Sequence, residues 1–220
     1  MPAVVKSFIL ALSALLPLVN PLGSALMFLT VVGQASPASI RSLARKVAIS
    51  TALFLVAIEL GGAALFTFFG ISLPVVQLAG GLVLAAMGWQ KLNTQESDDD
   101  TEQSPDEIRG GALLKDKVFY PLTFPLTAGP GCIVVTATLS AHASRHTLES
   151  NLCNHLGIAL AVMVLATAVF LSYAYAPKIT RNIPAHVVRG ILRVAAFVLL
   201  CIGTQIGWNG LETMLKLARA

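Results

Sequence analysis

The chain is poor in charge. Of its 220 residues only 12% are Asp, Glu, Lys or Arg, against 55% that are hydrophobic, whereas a soluble domain carries about a quarter charged. Acidic residues are scarcer still outside one segment: of the 11 Asp and Glu, only Glu59, Glu149 and Glu212 lie beyond residues 95–116. Charge is missing altogether from Ser7 to Ile40, Leu60 to Gln90, Val118 to Ser144, Ser150 to Pro177 and Val194 to Leu211. Each run can hold an apolar helix of about 20 residues, the length that crosses a hydrocarbon core. Together with a mean hydropathy of +0.77, this excludes a soluble globular domain and defines an integral membrane protein. Alternating ten-residue strands are missing, which excludes a membrane β-barrel. Cysteine is scarce and odd in number, so Cys132, Cys153 and Cys201 read as free thiols acting as small apolar residues. A Walker loop, a dinucleotide fingerprint and a nucleophile elbow are all lacking. No cofactor is therefore expected, and the chain does not read as an enzyme.

What is present divides into six spans, roughly 7–33, 47–69, 73–92, 118–141, 153–176 and 191–213. Gly70-Ile71-Ser72-Leu73-Pro74 supplies a helix stop and a restart, so the second and third spans form a hairpin. Lys6 before an apolar run resembles a signal peptide, but the run is too long for a signal core and reads as a retained first span.

Orientation follows from Lys and Arg. One side collects Arg41, Arg45, Lys46, Lys91, Arg109, Lys115, Lys117, Lys178, Arg181, Arg189 and Arg193, and the other only Lys6, Arg145, Lys216 and Arg219. Cationic loops stay in the cytoplasm, which puts both termini outside. The net charge of +4 thus describes topology and gives no reason to expect a nucleic-acid partner.

Two stretches half the chain apart match each other. Leu16-Pro17-Leu18-Val19-Asn20-Pro21-Leu22-Gly23 aligns with Phe124-Pro125-Leu126-Thr127-Ala128-Gly129-Pro130-Gly131, with Pro17 over Pro125, Leu18 over Leu126 and Gly23 over Gly131. In the third and sixth spans, Val83-Leu84 and Gly88-x-Gln90 match Val198-Leu199 and Gly203-x-Gln205. The expected architecture is therefore all-α and membrane-embedded, with six transmembrane helices arranged as two three-helix repeats. These are 1–92 and 118–220, joined by an acidic cytoplasmic linker at 93–117. An odd number of spans separates the repeat starts, so the second is inverted relative to the first. The linker has almost no apolar residue before Ala112, which leaves it solvated. Asp98-Asp99-Asp100 lacks the fixed geometry a calcium site needs.

These residues resemble the MarC family of bacterial and archaeal inner-membrane proteins. The likeness is carried by Asn20-Pro21-Leu22-Gly23, Phe69-Gly70-Ile71-Ser72 with Ala79-Gly80-Gly81, Pro125-Leu126-x-Ala128-Gly129-Pro130-Gly131, and Arg193 with Gln205 and Gly210. It covers nearly the whole chain and departs from the family pattern in the long acidic linker and at Thr127 and Cys132. The family is grouped with the LysE and RhtB amino-acid exporters, so the resemblance implies residence in the inner (plasma) membrane and transport of a small solute.

Residue chemistry supplies a mechanism for such transport. Pro21 and Pro130 lack amide hydrogens, and Gly23, Gly129 and Gly131 permit unusual dihedrals, so the first and fourth helices are expected to split into halves at these motifs. In lipid such breaks persist only where they line a protein cavity or wet path, and paired breaks in two halves mark a transporter's binding site. A half-helix N-terminus suits a carboxylate, and a half-helix C-terminus suits an ammonium group or cation. Asn20, Pro21, Gly23, Thr127, Ala128, Gly129, Pro130 and Gly131 are the candidate substrate-binding residues, with Thr123 as a further hydroxyl. Packing kinks are the plainer alternative.

Glu59, deep in the second span, is the candidate for a coupling proton or sodium ion. It otherwise forms a structural pair with a helix-end Arg or sits near an interface. His142, His146, Glu149, Cys153 and His155 read as polar residues of an outer loop, with no motif that makes a metal site of them. Trp89, Trp208, Tyr120, Tyr173 and Tyr175 fall near helix ends and read as interfacial belt residues, with substrate stacking as the alternative. Gly81, Ala85 and Gly88 form a small-residue stripe suited to close helix packing. Two functions remain: a secondary transporter of a small neutral amino acid or similar metabolite, and a noncatalytic membrane-interaction protein whose kinks shape a partner surface.

Topology is the most direct test. In a variant with its three cysteines replaced by Ala, an Asp100→Cys thiol should react with an impermeant maleimide only after sealed cells are opened. Labelling of intact cells would reverse the orientation.

Overall fold

Capping residues and prolines set where each helix begins. The computed structural model describes residues 2–33, 35–93, 117–143, 148–178 and 185–218. Helix α1 runs Ala3–Val19 and α2 runs Pro21–Val32, with Asn20 alone between them. The Ser36 hydroxyl accepts a hydrogen bond from the Ser39 amide, and Pro37, whose missing N–H has no intrahelical role at the first position, opens α3 at Pro37–Phe68. Gly70, at φ +68°, turns the chain after α3. Helix α4, Leu73–Asn93, follows, as the hairpin motif predicts. Beyond the linker come a wide-turned segment at Val118–Thr127, then α5 at Pro130–Ala143, α6 at Leu148–Ala174 and α7 at Ala185–Ala218. All regular structure among the described residues is helical.

Several helices start earlier than the spans assigned to them: α3 at residue 37 instead of 47, α6 at 148 instead of 153, and α7 at 185 instead of 191. Hydropathy locates the edge of the lipid, but Ser, Arg, Glu and Asn do not break a helix that continues past it. Of the linker at 93–117, all but its two end residues lies outside the described residues, and the Asp98-Asp99-Asp100 run lies there too.

Among the described residues, four helical stretches are long and apolar enough to cross a bilayer: Ala3–Val32, Leu73–Asn93, Glu149–Ala174 and Gly190–Ala218. A fifth arises if Val118–Thr127 and Pro130–Ala141, bent by 73°, count as one span. Helix α3, 32 residues long, turns Leu53, Leu60, Leu65 and Phe68 outward. Large apolar side chains on the outside are what a lipid solvent calls for, since hydrocarbon does not penalise them.

The halves of the chain interleave. Apart from α5 against α6, the extensive helix contacts all join an element of 1–92 to one of 118–220. Helices α1 and α2 lie against α6, α3 lies against the 118–127 segment, α5 and α6, and α4 lies against α7 and α5. The α1–α2 pair runs parallel to α6, with Ser7 donating to Asn154 Oδ1 at 2.8 Å near one end and Phe28 stacked on Tyr173 at 4.5 Å toward the other. Helix α3 lies along the 118–143 stretch: Phe54 meets Phe119 and Phe124 at 5.7 and 5.9 Å, and Gly62 abuts Ala137.

Helices α4 and α7 cross antiparallel and touch backbone to backbone. A Cβ on Gly88 would fall 2.6 Å from the Leu200 nitrogen and 2.9 Å from the Ala196 oxygen, and one on Gly203 would fall 2.4 Å from the Ala85 nitrogen and 2.8 Å from the Gly81 oxygen. Neither neighbour is a side chain that can swing away, so only glycine permits this approach. Gly88→Ala and Gly203→Ala should each lower stability by about 1–3 kcal/mol, the usual cost of overpacking. Gly61→Ala, with nothing within 4 Å of its added methyl, should not. Thermal unfolding of the three detergent-solubilised variants checks the contrast, and equal losses at all three positions would contradict it.

Candidate functional site

The first break rests on one asparagine. Asn20 adopts φ 42°, ψ 69°, a left-handed conformation that Asn tolerates better than most residues. Its N–H closes α1 on the Leu16 oxygen at 2.9 Å. Its carbonyl opens α2, accepting from the Ser24 amide at 2.9 Å and from the Ser24 hydroxyl at 3.0 Å. Its Oδ1 accepts from the Gly23 amide at 3.3 Å. Pro21 occupies the first helical position, where no N–H is needed. Groups released by the break are therefore recaptured within a few residues.

The second break is wider. Tyr120 (φ −115°, ψ 125°) and Phe124 (φ −120°, ψ 127°) are extended, as residues before proline are driven to be. The Ala128 amide reaches back five residues to the Thr123 oxygen at 2.8 Å. Thr123 Oγ1 donates to the Val118 oxygen at 2.8 Å and Thr127 Oγ1 to the Leu122 oxygen at 2.6 Å. Each Pro-Leu-Thr triplet, 121–123 and 125–127, thus pairs its proline with a hydroxyl that takes up a carbonyl left by the irregular turn.

The glycines of the motifs act differently from expectation. None of Gly23, Gly129 and Gly131 has a positive φ; among the described glycines only Gly33 and Gly70 do. Asn20 supplies the unusual dihedrals, and Gly23 and Gly131 supply room. A Cβ on Gly23 would lie 2.3 Å from Asn20 Nδ2 and 2.6 Å from Leu192 Cδ2, and one on Gly131 would lie 2.1 Å from Leu84 Cδ2 and 3.4 Å from Leu18 Cδ2.

The two motifs meet through side chains near the breaks. Leu18 of the first reaches Gly131 of the second. The Tyr173 hydroxyl shares a 2.7 Å hydrogen bond with Thr127 Oγ1 and its ring stacks on Phe28 of α2, so one residue ties α2 to the second break. Tyr173 is 0% exposed, which corrects its reading as a belt residue. It falls on the α6 face of Val162, Leu165 and Val169, all buried, so helical phase overrides closeness to the helix end. Tyr120 and Tyr175 are exposed, as are Trp89 and Trp208. Pro21, Gly23, Thr127, Ala128 and Gly131 are buried, Asn20 and Gly129 half-buried and Pro130 exposed. Asn20's hydrogen bonds stay within the first motif. A cavity of about 480 Å³ opens elsewhere, on the flank where Lys46, Ile49, Ser50, Leu53 and Phe54 of α3 face Val118 and Phe119.

Glu59 is only 2% exposed, while its neighbour Leu60 is 70% exposed. Its Oε1 meets His155 Nδ1, and its main-chain carbonyl accepts a hydrogen bond from the Ser140 hydroxyl. The partner is thus an imidazole and not a helix-end Arg. His155 is not in an outer loop, because α6 already begins at Leu148. A helix started there carries His155 onto the face of Ile158, Val162 and Leu165, which was the signal in the sequence for this pair. His146 and the His142 side chain lie outside the described residues, and no cluster of three metal-ligating side chains occurs among those described.

Apolar helices broken inside the bundle, with every break closed by protein groups, define a multipass helical membrane protein. The chain belongs to the MarC family: residues 5–215 match the MarC family integral membrane protein description. It is similar to inner membrane protein MarC of Citrobacter koseri, 30% identical over 218 residues and 96% of each chain. It is also similar to inner membrane protein MarC of Escherichia coli strain UTI89, 27% identical over 216 residues and 96% of each chain. No solved structure matches.

Asn20→Ala removes both the left-handed preference and the cap, and should cost roughly 1–2 kcal/mol of stability. Asn20→Gly keeps the backbone conformation and should cost only a few tenths. Thermal unfolding in detergent separates them, and equal loss in the two variants would show that the left-handed preference contributes nothing beyond the lost cap.

Proposed function

We propose that this protein is a secondary transporter of the inner membrane, moving a small neutral amino acid or similar metabolite by alternating access. In this reading six spans form two inverted three-helix repeats, the broken helices flank one substrate site, and both termini lie outside.

The packing supports the repeat. Exchanging the first span with the fourth, the second with the fifth and the third with the sixth turns the set of extensive contacts between units into itself. The α4–α7 crossing is reciprocal residue by residue. If Gly88 is equivalent to Gly203, then Ala85 matches Leu200 and Gly81 matches Ala196. Gly88 indeed abuts the Leu200 nitrogen and the Ala196 oxygen, as Gly203 abuts the Ala85 nitrogen and the Gly81 oxygen. A two-fold axis relates contacts in this way, and an antiparallel self-paired crossing puts that axis across the helices, as inversion requires.

The observation that carries the transport reading is the meeting of the two breaks. Leu18 beside Gly131, and Tyr173 between Phe28 and Thr127, bring both broken helices to one place. Helices α2 and α5 begin there, and parting of the broken helices would free their amide-rich ends for a carboxylate and the end of α1 for an ammonium group. Asn20, Pro21, Gly23, Thr127, Ala128, Gly129, Pro130 and Gly131 surround the site, and Glu59 carries the coupling proton or sodium ion. In the described conformation Leu18, Leu84 and Leu192 fill the space beside the motif glycines, so the cycle requires the first broken helix to part from the second.

Proteoliposomes loaded with radiolabelled small neutral amino acids test this. Uptake should be saturable and fall at least about tenfold in Gly131→Ala, whose added methyl strikes Leu84 and prevents the closed packing, while the variant still inserts. Absence of uptake for every solute in a well-folded wild type would favour the noncatalytic membrane-interaction role.

A further inference from the structure

We propose that the outward face of α7 is the contact surface for a second copy of this chain, closed by the Gln205–Asn209 amide pair of each copy. The proposal is independent of the transport reading and uses only the embedding of the bundle in lipid.

Gly203, Gly207 and Gly210 form the seam of α7 that is turned to α4. At about 100° per residue, Gln205 lies on the opposite side of the helix, and both Gln205 and Asn209 are exposed. Arg193 and Glu212 bracket the charge-free run Val194–Leu211, which is about 27 Å long at the helical rise and puts Gln205 about 4 Å from its midpoint. A primary amide is thus held against hydrocarbon, where an unpaired donor or acceptor finds no water.

Other polar side chains on this face are satisfied within their own helix. The Thr204 hydroxyl donates to the Leu200 oxygen at 2.9 Å, and the Thr213 hydroxyl to the Asn209 main-chain oxygen at 2.8 Å. Glu212 pairs with Lys216 at 2.6 Å, so its charge is already answered. The two amides bond to each other, Gln205 Nε2 donating to Asn209 Oδ1 at 2.8 Å. Gln205 Oε1, an acceptor, and Asn209 Nδ2, a donor, are left without a partner among the described residues.

One acceptor and one donor side by side are complementary to a copy of themselves. Two copies of one chain insert in the same orientation, so the two-fold axis that relates them runs along the membrane normal and lays α7 parallel to its counterpart. Amide pair then faces amide pair at one height. Asn209 Nδ2 of each copy donates to Gln205 Oε1 of the other, which closes a ring of four hydrogen bonds. Asn and Gln side chains join membrane helices in this way, whereas a lipid tail offers neither donor nor acceptor.

The residues around the pair have the spacing such a contact requires. Val194, Val198, Cys201, Gln205, Trp208 and Glu212 follow one another at alternating intervals of four and three, and all are exposed. That is the 3.5-residue period of a parallel two-helix seam, in which a single polar residue fixes register and oligomeric state. Gln205 falls in the middle of this stripe, and a two-fold axis there sets Cys201 opposite its own counterpart.

Full-length protein in liposomes tests the contact. Under mild oxidation the wild type should form a disulfide-linked dimer that is lost in Cys201→Ala and retained in Cys153→Ala. Energy transfer between labelled copies, followed as added lipid dilutes the protein, should show association weakened at least about tenfold when Gln205→Leu and Asn209→Leu are combined, because the amide bonds across the helices are gone. A wild type that is monomeric at every dilution, a double variant that associates as tightly as wild type, or cross-linking that is absent or survives Cys201→Ala overturns the proposal. Should the double variant fail to fold, the cross-linking comparison decides, since it leaves both amides in place. Neither measurement involves a solute, so failure of the dimer leaves the transport reading standing, and a dimer that moves no solute removes the transport reading alone.

Discussion

A backbone amide or carbonyl released inside a bilayer has no water to turn to, and the rest of this structure is organised around that constraint. Both breaks are closed locally, by different means. At the first, one Asn in a left-handed conformation ends α1 and caps α2 with its own carbonyl and amide oxygen. At the second, two prolines open the helix, and Thr123 and Thr127 take up the Val118 and Leu122 carbonyls. With its polar groups answered, each motif can present its glycine to another helix. Gly23 and Gly131 are thereby packing residues, set against Leu192 and Leu84 of the long helices from the opposite half.

That exchange of contacts explains why the halves interleave. Lipid tails are as apolar as leucine, so helices in a membrane gain little by burying apolar side chains against each other and associate through close backbone approach and hydrogen bonds. The α4–α7 crossing is the first kind, with Gly81, Gly88, Gly203 and Gly210 each within reach of the partner's main chain. The Ser7–Asn154 hydrogen bond and the Glu59–His155 pair are the second kind. Both polar links run between a helix of 1–92 and one of 118–220, so polar groups that are costly to leave unpaired in lipid join the two halves.

Class, family and the existence of the breaks were legible from residues alone. Charge-free runs locate the lipid because charge is expensive there, and the repeated Pro/Gly motif marks the breaks because no other local chemistry opens an apolar helix so sharply. Gly70 and Pro74 likewise announced the turn between α3 and α4. Only the tertiary structure decided which residue does what at each site. Whether Tyr173 sits at an interface or in the core depends on helical phase relative to Phe28 and Thr127, and whether His155 is loop or core depends on a helix start that hydropathy does not register. Glu59 could be recognised as costly from one sequence position, but its partner lies 96 residues away, and a pairing at that distance exists only once α3 and α6 are laid side by side.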